Sequence, residues 1–326
     1  MTSEDTTLGT VSTPRRRWRF WRAPATGEMG VNAEDNLSGF LFMLPWLIGF
    51  VVFMAGPLLA SLYLSFTRYD LFTAPEWRGT ANYERLFFRD RTFADSMQVT
   101  VVYVLTSVPL RLGFALAVAM LLNRGVRGLP LYRAIYYLPS LIGGSVAIAI
   151  LWRELFGYEG LINDILVPLG FERMSWIGSP DTALSTLVVL AAWQFGSPMV
   201  IFLAGLKQIP KELYEAADMD GGGPVQKFFY ITLPMLTPVI FFNLLMQMIS
   251  AFQAFTPAYI VSEGTGGPAG STLFYTLYLY QQAFSFHRMG YASAMAWVLL
   301  AIVATVTMVN FVLSRRWVYY ADGGRG

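Results

Sequence analysis

The stretch "LYEAADMDGGGPVQKFFYITLP", Leu213 to Pro234, is a polar interlude between long apolar runs, and its reading decides what the rest of the chain is for. Glu212 and Glu215 suit the positive end of a short helix begun at Pro210, whose ring presets the first-turn backbone angle. The glycines from Gly221 stop that helix, because glycine tolerates the left-handed conformation that ends one. Pro224 is placed to start a second short helix, and Pro234 and Pro238 mark the beginning of the next apolar run. The expected product is a helix, a turn and a helix, with Leu213, Ala216 and Ala217 on one face and Asp220 near its end. The small alanines on that face allow another chain to approach closely.

The surroundings are lipid-like. Of 326 residues, 55% are hydrophobic and only 13% are charged, too apolar a balance for an ordinary soluble domain. A hydrocarbon core about 30 Å thick takes about 20 apolar helical residues to cross. Six segments qualify: 37–66, 96–122, 132–155, 183–206, 235–260 and 289–313. Prolines 45, 57, 109, 139 and 198 lie inside them, which membrane helices tolerate where neighbours satisfy the freed carbonyls. The fold class expected is therefore all-α, a polytopic six-helix bundle, flanked by tails 1–36 and 314–326 and carrying the polar loop 207–234.

The basic tract "RRRWRFWR", Arg15 to Arg22, precedes the first span. That span is longer than the apolar part of a secretory signal and lacks a small-residue cleavage site. Interleaved arginine and aromatic residues suit a headgroup layer better than nucleic acid, so no nucleic-acid partner is expected, and the tail before them reads as disordered. With the N-terminus inside, the inner segments hold 14 Lys and Arg against 10 Asp and Glu, and the outer segments 8 against 11. This bias puts both termini, and the Leu213–Pro234 interlude, on the cytoplasmic side.

Several chemistries are excluded or disfavoured. The chain has no cysteine, hence no disulfide, thiolate metal site or cysteine nucleophile. Its one histidine, His287, sits in a polar loop beside Ser285 and Arg288 and reads as a loop residue. The glycine-rich "GTGGPAGST" from Gly264 lacks the lysine of a phosphate-binding loop and falls outside the membrane, where it reads as a flexible loop able to touch a partner.

The spacing in the interlude resembles a known family. Glu215, Ala216 and Ala217, then Gly221, then "ITLP" with Ile231, Leu233 and Pro234, is similar to the EAA loop of binding-protein-dependent ABC importer permeases. "LKQIPKELYEAADMDGG", "ITLPMLTP", "TGGP" from Thr265, "YLYQQAF" from Tyr278 and "GYASA" from Gly290 resemble the carbohydrate branch, with the maltose and glycerol-3-phosphate permease subunits the nearest relatives. "LLNRGVRGLPLYRAIYYLPSLI" and "LWRELFGYEGLIN" extend the likeness upstream, to about 37–313. One departure is the triplet Gly221 to Gly223, where the family pattern has alanine after the first glycine, and which could loosen the turn.

The resemblance implies a division of labour. The EAA loop would dock on a cytoplasmic ATPase, with Glu215, Ala216, Ala217, Asp220 and Gly221 forming the coupling contact. ATP and Mg would be used by that ATPase, this chain would bind no cofactor or metal and catalyse nothing, and Gly221 would orient the coupling helix. The partners implied are a second, homologous permease in a heterodimer, two ATPase subunits and an extracytoplasmic solute-binding protein, in a bacterial inner membrane, with a sugar or polyol as cargo.

A sugar needs amides, hydroxyls and aromatic faces along its path. Asn243, Gln247 and Ser250 fall on one face of the fifth span at helical spacing, and "WQFGSP" in the fourth adds Trp193, Gln194 and Ser197 beside a backbone break. These six are the expected substrate path; the alternative is that they join helices through hydrogen bonds. Arg111, an ionisable residue inside a span without an evident acidic partner, is either functional or reaches carbonyls or a watery cavity near the Pro109 kink. A secondary transporter driven by an ion gradient is the competing class, though it would more naturally carry an intramembrane acid. A membrane-embedded enzyme would need a nucleophile or metal constellation, and neither is visible.

Overall fold

The computed structural model describes residues 33–125, 128–142 and 144–319. The basic tract and the start of the N-terminal tail lie outside the described residues, as does the end of the C-terminal tail. The chain divides into two compact units, one ending at Pro57 and one from Leu58 onward.

The first unit holds α1 (Ala33–Phe50), followed by a π-helical turn, Val51–Ala55. Helix α2 (Gly56–Ser65) comes next in sequence, and the run Phe40–Ser65 is long and apolar enough to cross a membrane. Phe42 is 88% exposed and Phe53 83%, so this stretch asks for lipid or another chain around it.

In the second unit, a two-residue antiparallel pair, β1 (Thr67–Arg68) with β2 (Glu76–Trp77), and α3 (Ala81–Phe88) lead to α4 (Arg91–Asn123). Asp90 caps α4 by accepting the Phe93 N–H at 3.1 Å. With 33 residues α4 is about 50 Å long. Its buried face carries small residues, Ser96, Thr100, Ser107, Ala115 and Ala119, which let neighbouring helices close on it.

The third predicted span is two helices, α5 (Leu129–Ile142) and α6 (Val146–Leu155), bent by 98°. Ser145 restarts the helix as an N-cap, accepting the Ile148 N–H at 3.3 Å, so 132–155 is not one straight rod. After α7 (Leu161–Leu166), the fourth span is a milder break: α8 (Pro180–Trp193) and α9 (Gly196–Gln208) meet at 41°. With each bent pair counted as one span the described residues hold six, and otherwise four.

Next come α10 (Lys211–Met219), α11 (Pro224–Lys227) and α12 (Leu233–Phe252). The expected second short helix of the interlude is not separate. A π turn, Phe228–Thr232, joins α11 to α12 in one helical run, with the Leu233 N–H reaching back to the Phe228 carbonyl. A widened turn just before Pro234 is where the missing proline N–H is absorbed without ending the helix. The chain finishes with α13 (Thr256–Val261), α14 (Tyr275–Tyr280) and α15 (Met289–Trp317). Helix α4 is the hub, packing on α8, α9, α12 and α14.

Candidate functional site

Two places stand out, and they lie in different parts of the second unit. The first is the turn between α10 and α11. Gly221 has φ of +76° and its N–H donates to the Asp218 carbonyl at 3.1 Å, while the Gly222 N–H donates to the Ala217 carbonyl at 2.7 Å. This pair of reverse bonds satisfies carbonyls that the helix end leaves open. A Cβ at Gly221 would meet nothing within 4 Å, so the demand there is conformational rather than steric. A Cβ at Gly222 would sit 2.8 Å from the Ala217 oxygen, so the second glycine of the triplet fits a tight turn rather than a loose one.

The turn is tied down from inside and left open outside. Tyr214 shares a 2.9 Å hydrogen bond with Thr232, Lys227 pairs with Asp218, and the Gly223 N–H donates to Gln226 Oε1 at 2.8 Å. Glu215, Ala216, Asp220 and Gly221 are exposed and Ala217 is half-buried. Around them Met219 is 89% exposed, Val225 68% and Tyr230 80%, a set of large apolar groups that no other described residue covers. The closed helix end thus presents exposed apolar side chains beside the Glu215 carboxylate.

The second place is a cavity of about 230 Å³ among α4, α8 and α12, with Phe255 and Thr256 following α12. Its origin is the proline in "WQFGSP". A helical Gln194 carbonyl would accept from the N–H of residue 198, which is a proline and has none. The freed carbonyl accepts instead from Arg111 Nε at 2.9 Å, Arg111 Nη2 at 2.6 Å and the Ser140 hydroxyl at 2.9 Å. Ser140 Oγ in turn accepts the Ser197 N–H at 3.0 Å. Gly196 permits this junction, because a Cβ there would run into the Tyr136 carbonyl and lie 2.8 Å from Ser140 Oγ.

Of the six path residues named from sequence, the cavity brings together Gln194, Gln247 and Ser250, and it adds Arg111, Tyr103 and Ser107. The other three lie elsewhere. Asn243 is fully buried, and its amide nitrogen and oxygen have no partner among the described residues. Asn243 shares a helix face with Gln247 and Ser250, but at its level α12, which packs on α4, α9 and α15, leaves no open space beside it. Trp193 rests against Trp152 with ring centroids 6.0 Å apart. Ser197 lines a separate, mainly apolar groove with Arg133 and Tyr137. The orphan carbonyl four residues before Pro198 was the sequence signal that could have tied Arg111 to Gln194.

On the face opposite the α10–α11 turn, the chain is knitted by tyrosines. Asp90 Oδ2 accepts the Tyr278 hydroxyl at 2.6 Å and the Tyr291 hydroxyl at 2.5 Å, and Arg85 lies 4.6 Å over the Tyr291 ring. Burial pushes the Asp90 carboxyl up, but these hydroxyls, the Phe93 N–H and the Arg85 charge outweigh it and hold the group below the usual carboxylate value. Burial, then the Asp90 bond and charge, push the Tyr278 hydroxyl up, so both partners keep the protonation that the bond needs. Thr100 Oγ1 accepts the Tyr275 N–H at 2.8 Å, and the Tyr275 hydroxyl donates to the Met295 carbonyl at 2.7 Å. Among the described residues no cluster could hold a metal ion, and His287 stands against Phe72 with φ of +54°.

The architecture, apolar helices long enough to cross a membrane with a polar cavity among them, is that of a multi-pass membrane protein. The comparisons give the family. Residues 110–319 match the binding-protein-dependent transport system inner membrane component, and the chain belongs to that family. It is 56% identical over 288 residues to a probable ABC transporter permease protein, YesP, of Bacillus subtilis (strain 168), covering 88% of this chain and 93% of that one. It is 34% identical to the lactose transport system permease protein LacF of Rhizobium radiobacter, covering 89% and 98%. In fold it is similar to a chain in the crystal structure of a bacterial alginate ABC transporter in complex with alginate pentasaccharide-bound periplasmic protein, with a TM-score of 0.72 at 20% identity, covering 87% of this chain and 96% of that one. The family consists of permease subunits of the inner membrane, which are not themselves catalytic, and the relatives lend no support to an ion-gradient carrier.

Proposed function

We propose that this chain is one permease half of an ATP-driven importer for a carbohydrate or related polyol. The α10–α11 turn is its coupling contact with a cytoplasmic ATPase, and the cavity beside Arg111 is part of the cargo's path. The observation that carries this reading is the turn itself: a rigidly closed helix end, with the family's Glu-Ala-Ala-to-Gly spacing, exposing Met219, Val225 and Tyr230. In this reading Glu215 meets a basic group of the ATPase, ATP and Mg belong to that subunit, and both termini share its side of the membrane.

A second, homologous permease completes the path. The cavity, about 230 Å³, is smaller than the roughly 300 to 1,000 Å³ of a usual small-molecule site, as expected of one wall of a shared passage. Two ATPase subunits and an extracytoplasmic solute-binding protein complete the assembly. Sugar relatives support the cargo class: besides the lactose permease, an arabinooligosaccharides transport system permease protein of Bacillus subtilis is 33% identical over 90% of this chain.

The chain lacks cysteine, which makes the test direct. Ala217→Cys, paired with single cysteines on the ATPase surface, is expected to form a crosslink in the assembled complex, while a cysteine at Ser185 on α8 is expected to form none. Crosslinking from Ser185 and none from Ala217 would contradict the reading.

A further inference from the structure

Arg111 carries more donor capacity than its structural duty uses. A guanidinium has five N–H groups, is not deprotonated in proteins, and forms two planar forks. The side-on fork, Nε with Nη2, is taken by the Gln194 carbonyl. The end-on fork, Nη1 with the second Nη2 hydrogen, has no partner among the described residues, and Arg111 lines the cavity. Among the described residues no carboxylate lines that cavity and Arg111 forms no ion pair. A cation held in a low-dielectric site without a counter-charge is costly, and a bound anion relieves that cost.

A second cationic place lies on the face opposite the α10–α11 turn. A cavity of about 780 Å³ is lined by Arg68, Arg78, Arg85, Arg89 and Arg288, with Asp70 the one carboxylate among its described lining residues. Glu76, at 2.9 Å, offsets Arg78, and the carboxylate of nearby Asp90 is already engaged by two tyrosine hydroxyls. Such a basin concentrates anions at the surface in a salt-dependent way.

We infer that the cargo is an acidic carbohydrate, a sugar bearing a carboxylate, which the end-on fork of Arg111 pairs within the membrane cavity and which the arginine basin gathers at the surface. The inference rests on the carbohydrate reading given above and narrows it. A planar carboxylate fits a planar fork with two parallel hydrogen bonds, whereas a neutral sugar leaves the charge unpaired.

The test uses the full complex with its binding protein in lipid nanodiscs. It is challenged with a panel of uronic-acid oligosaccharides and, for each, the carboxyl-reduced counterpart of the same linkage and length. ATP hydrolysis above the basal rate is the readout, and cargo binding to the isolated binding protein is measured alongside to separate selectivity arising there. Acidic members are expected to stimulate hydrolysis more than their reduced counterparts, and added salt to weaken only the acidic response. Arg111→Gln keeps one amide donor for the Gln194 carbonyl but loses the charge, and is expected to raise the half-saturating acidic cargo about tenfold or more, a loss of about 1.4 kcal/mol. Arg111→Lys is expected to recover part of that loss.

Equal stimulation by the reduced sugars overturns the inference and leaves the carbohydrate reading standing. So does an equal loss in the Gln and Lys variants, which would mark Arg111 as a brace for the helix break alone. Failure of every sugar, acidic or neutral, to stimulate hydrolysis would sink the carbohydrate reading and this inference with it.

Discussion

The α10–α11 turn and the cavity around Arg111 are built in opposite ways. The turn is local: all its hydrogen bonds and its ion pair lie within the single segment 211–232, and its large apolar side chains are exposed. The cavity is assembled at long range, since Arg111, Ser140 and Gln194 come from three separate spans and meet at one carbonyl. The difference teaches where each can fail. A local turn tolerates distant change and breaks through its own backbone angles, whereas a long-range junction breaks through any helix that cannot come close enough.

The largest effect is therefore expected at Gly196, where the α5–α9 junction leaves no room for a side chain. Gly196→Ala must displace the Tyr136 carbonyl, backbone that cannot rotate out of the way. Overpacking typically costs about 1 to 3 kcal/mol, and a backbone obstacle puts this site at the upper end, enough to lower the amount of folded chain recovered from membranes and its melting temperature in detergent. Unchanged yield and melting would show that α5 and α9 do not meet as closely as described.

The smallest effect is expected at Asn243. Its amide is buried with no partner among the described residues, so replacing it by an apolar group of similar size removes an unmet polar cost rather than a bond. Asn243→Leu should change stability by less than about 1 kcal/mol and leave cargo-stimulated ATP hydrolysis near normal. A large loss of stimulation with normal assembly would place Asn243 on the cargo path.

The same contrast explains what could be read from the residues in order. The turn was legible because its signals are contiguous: Pro210 before α10, Gly221 after it, and the alanines between. Its continuation was not, because a π turn ahead of Pro234 let α11 run on into α12 where proline suggested a break. The spans were legible as apolar lengths, yet their bends were not, and the third split at Ser145 by 98°. In the cavity, Gln247 and Ser250 followed from helical spacing. Asn243 shares that spacing but is fully buried and does not line the cavity, which depends on how closely the neighbouring helices meet α12 at each level. Trp193 and Ser197 flank the same break as Gln194 but leave it in other directions, toward Trp152 and toward the Arg133 groove. Arg111 was visible as a charge without an acid; its partner, a carbonyl freed by Pro198, needed the two helices to be brought together.

The central claim is that motion made on another subunit enters this chain through the α10–α11 turn. Gly221→Val tests it most directly, because the site has space for the side chain but holds φ at +76°, which a β-branched residue resists by about 1 to 2 kcal/mol. In the reconstituted complex the variant is expected to insert and assemble normally while cargo uptake and cargo-stimulated ATP hydrolysis both fall. Normal uptake and normal stimulation in that variant would contradict the account.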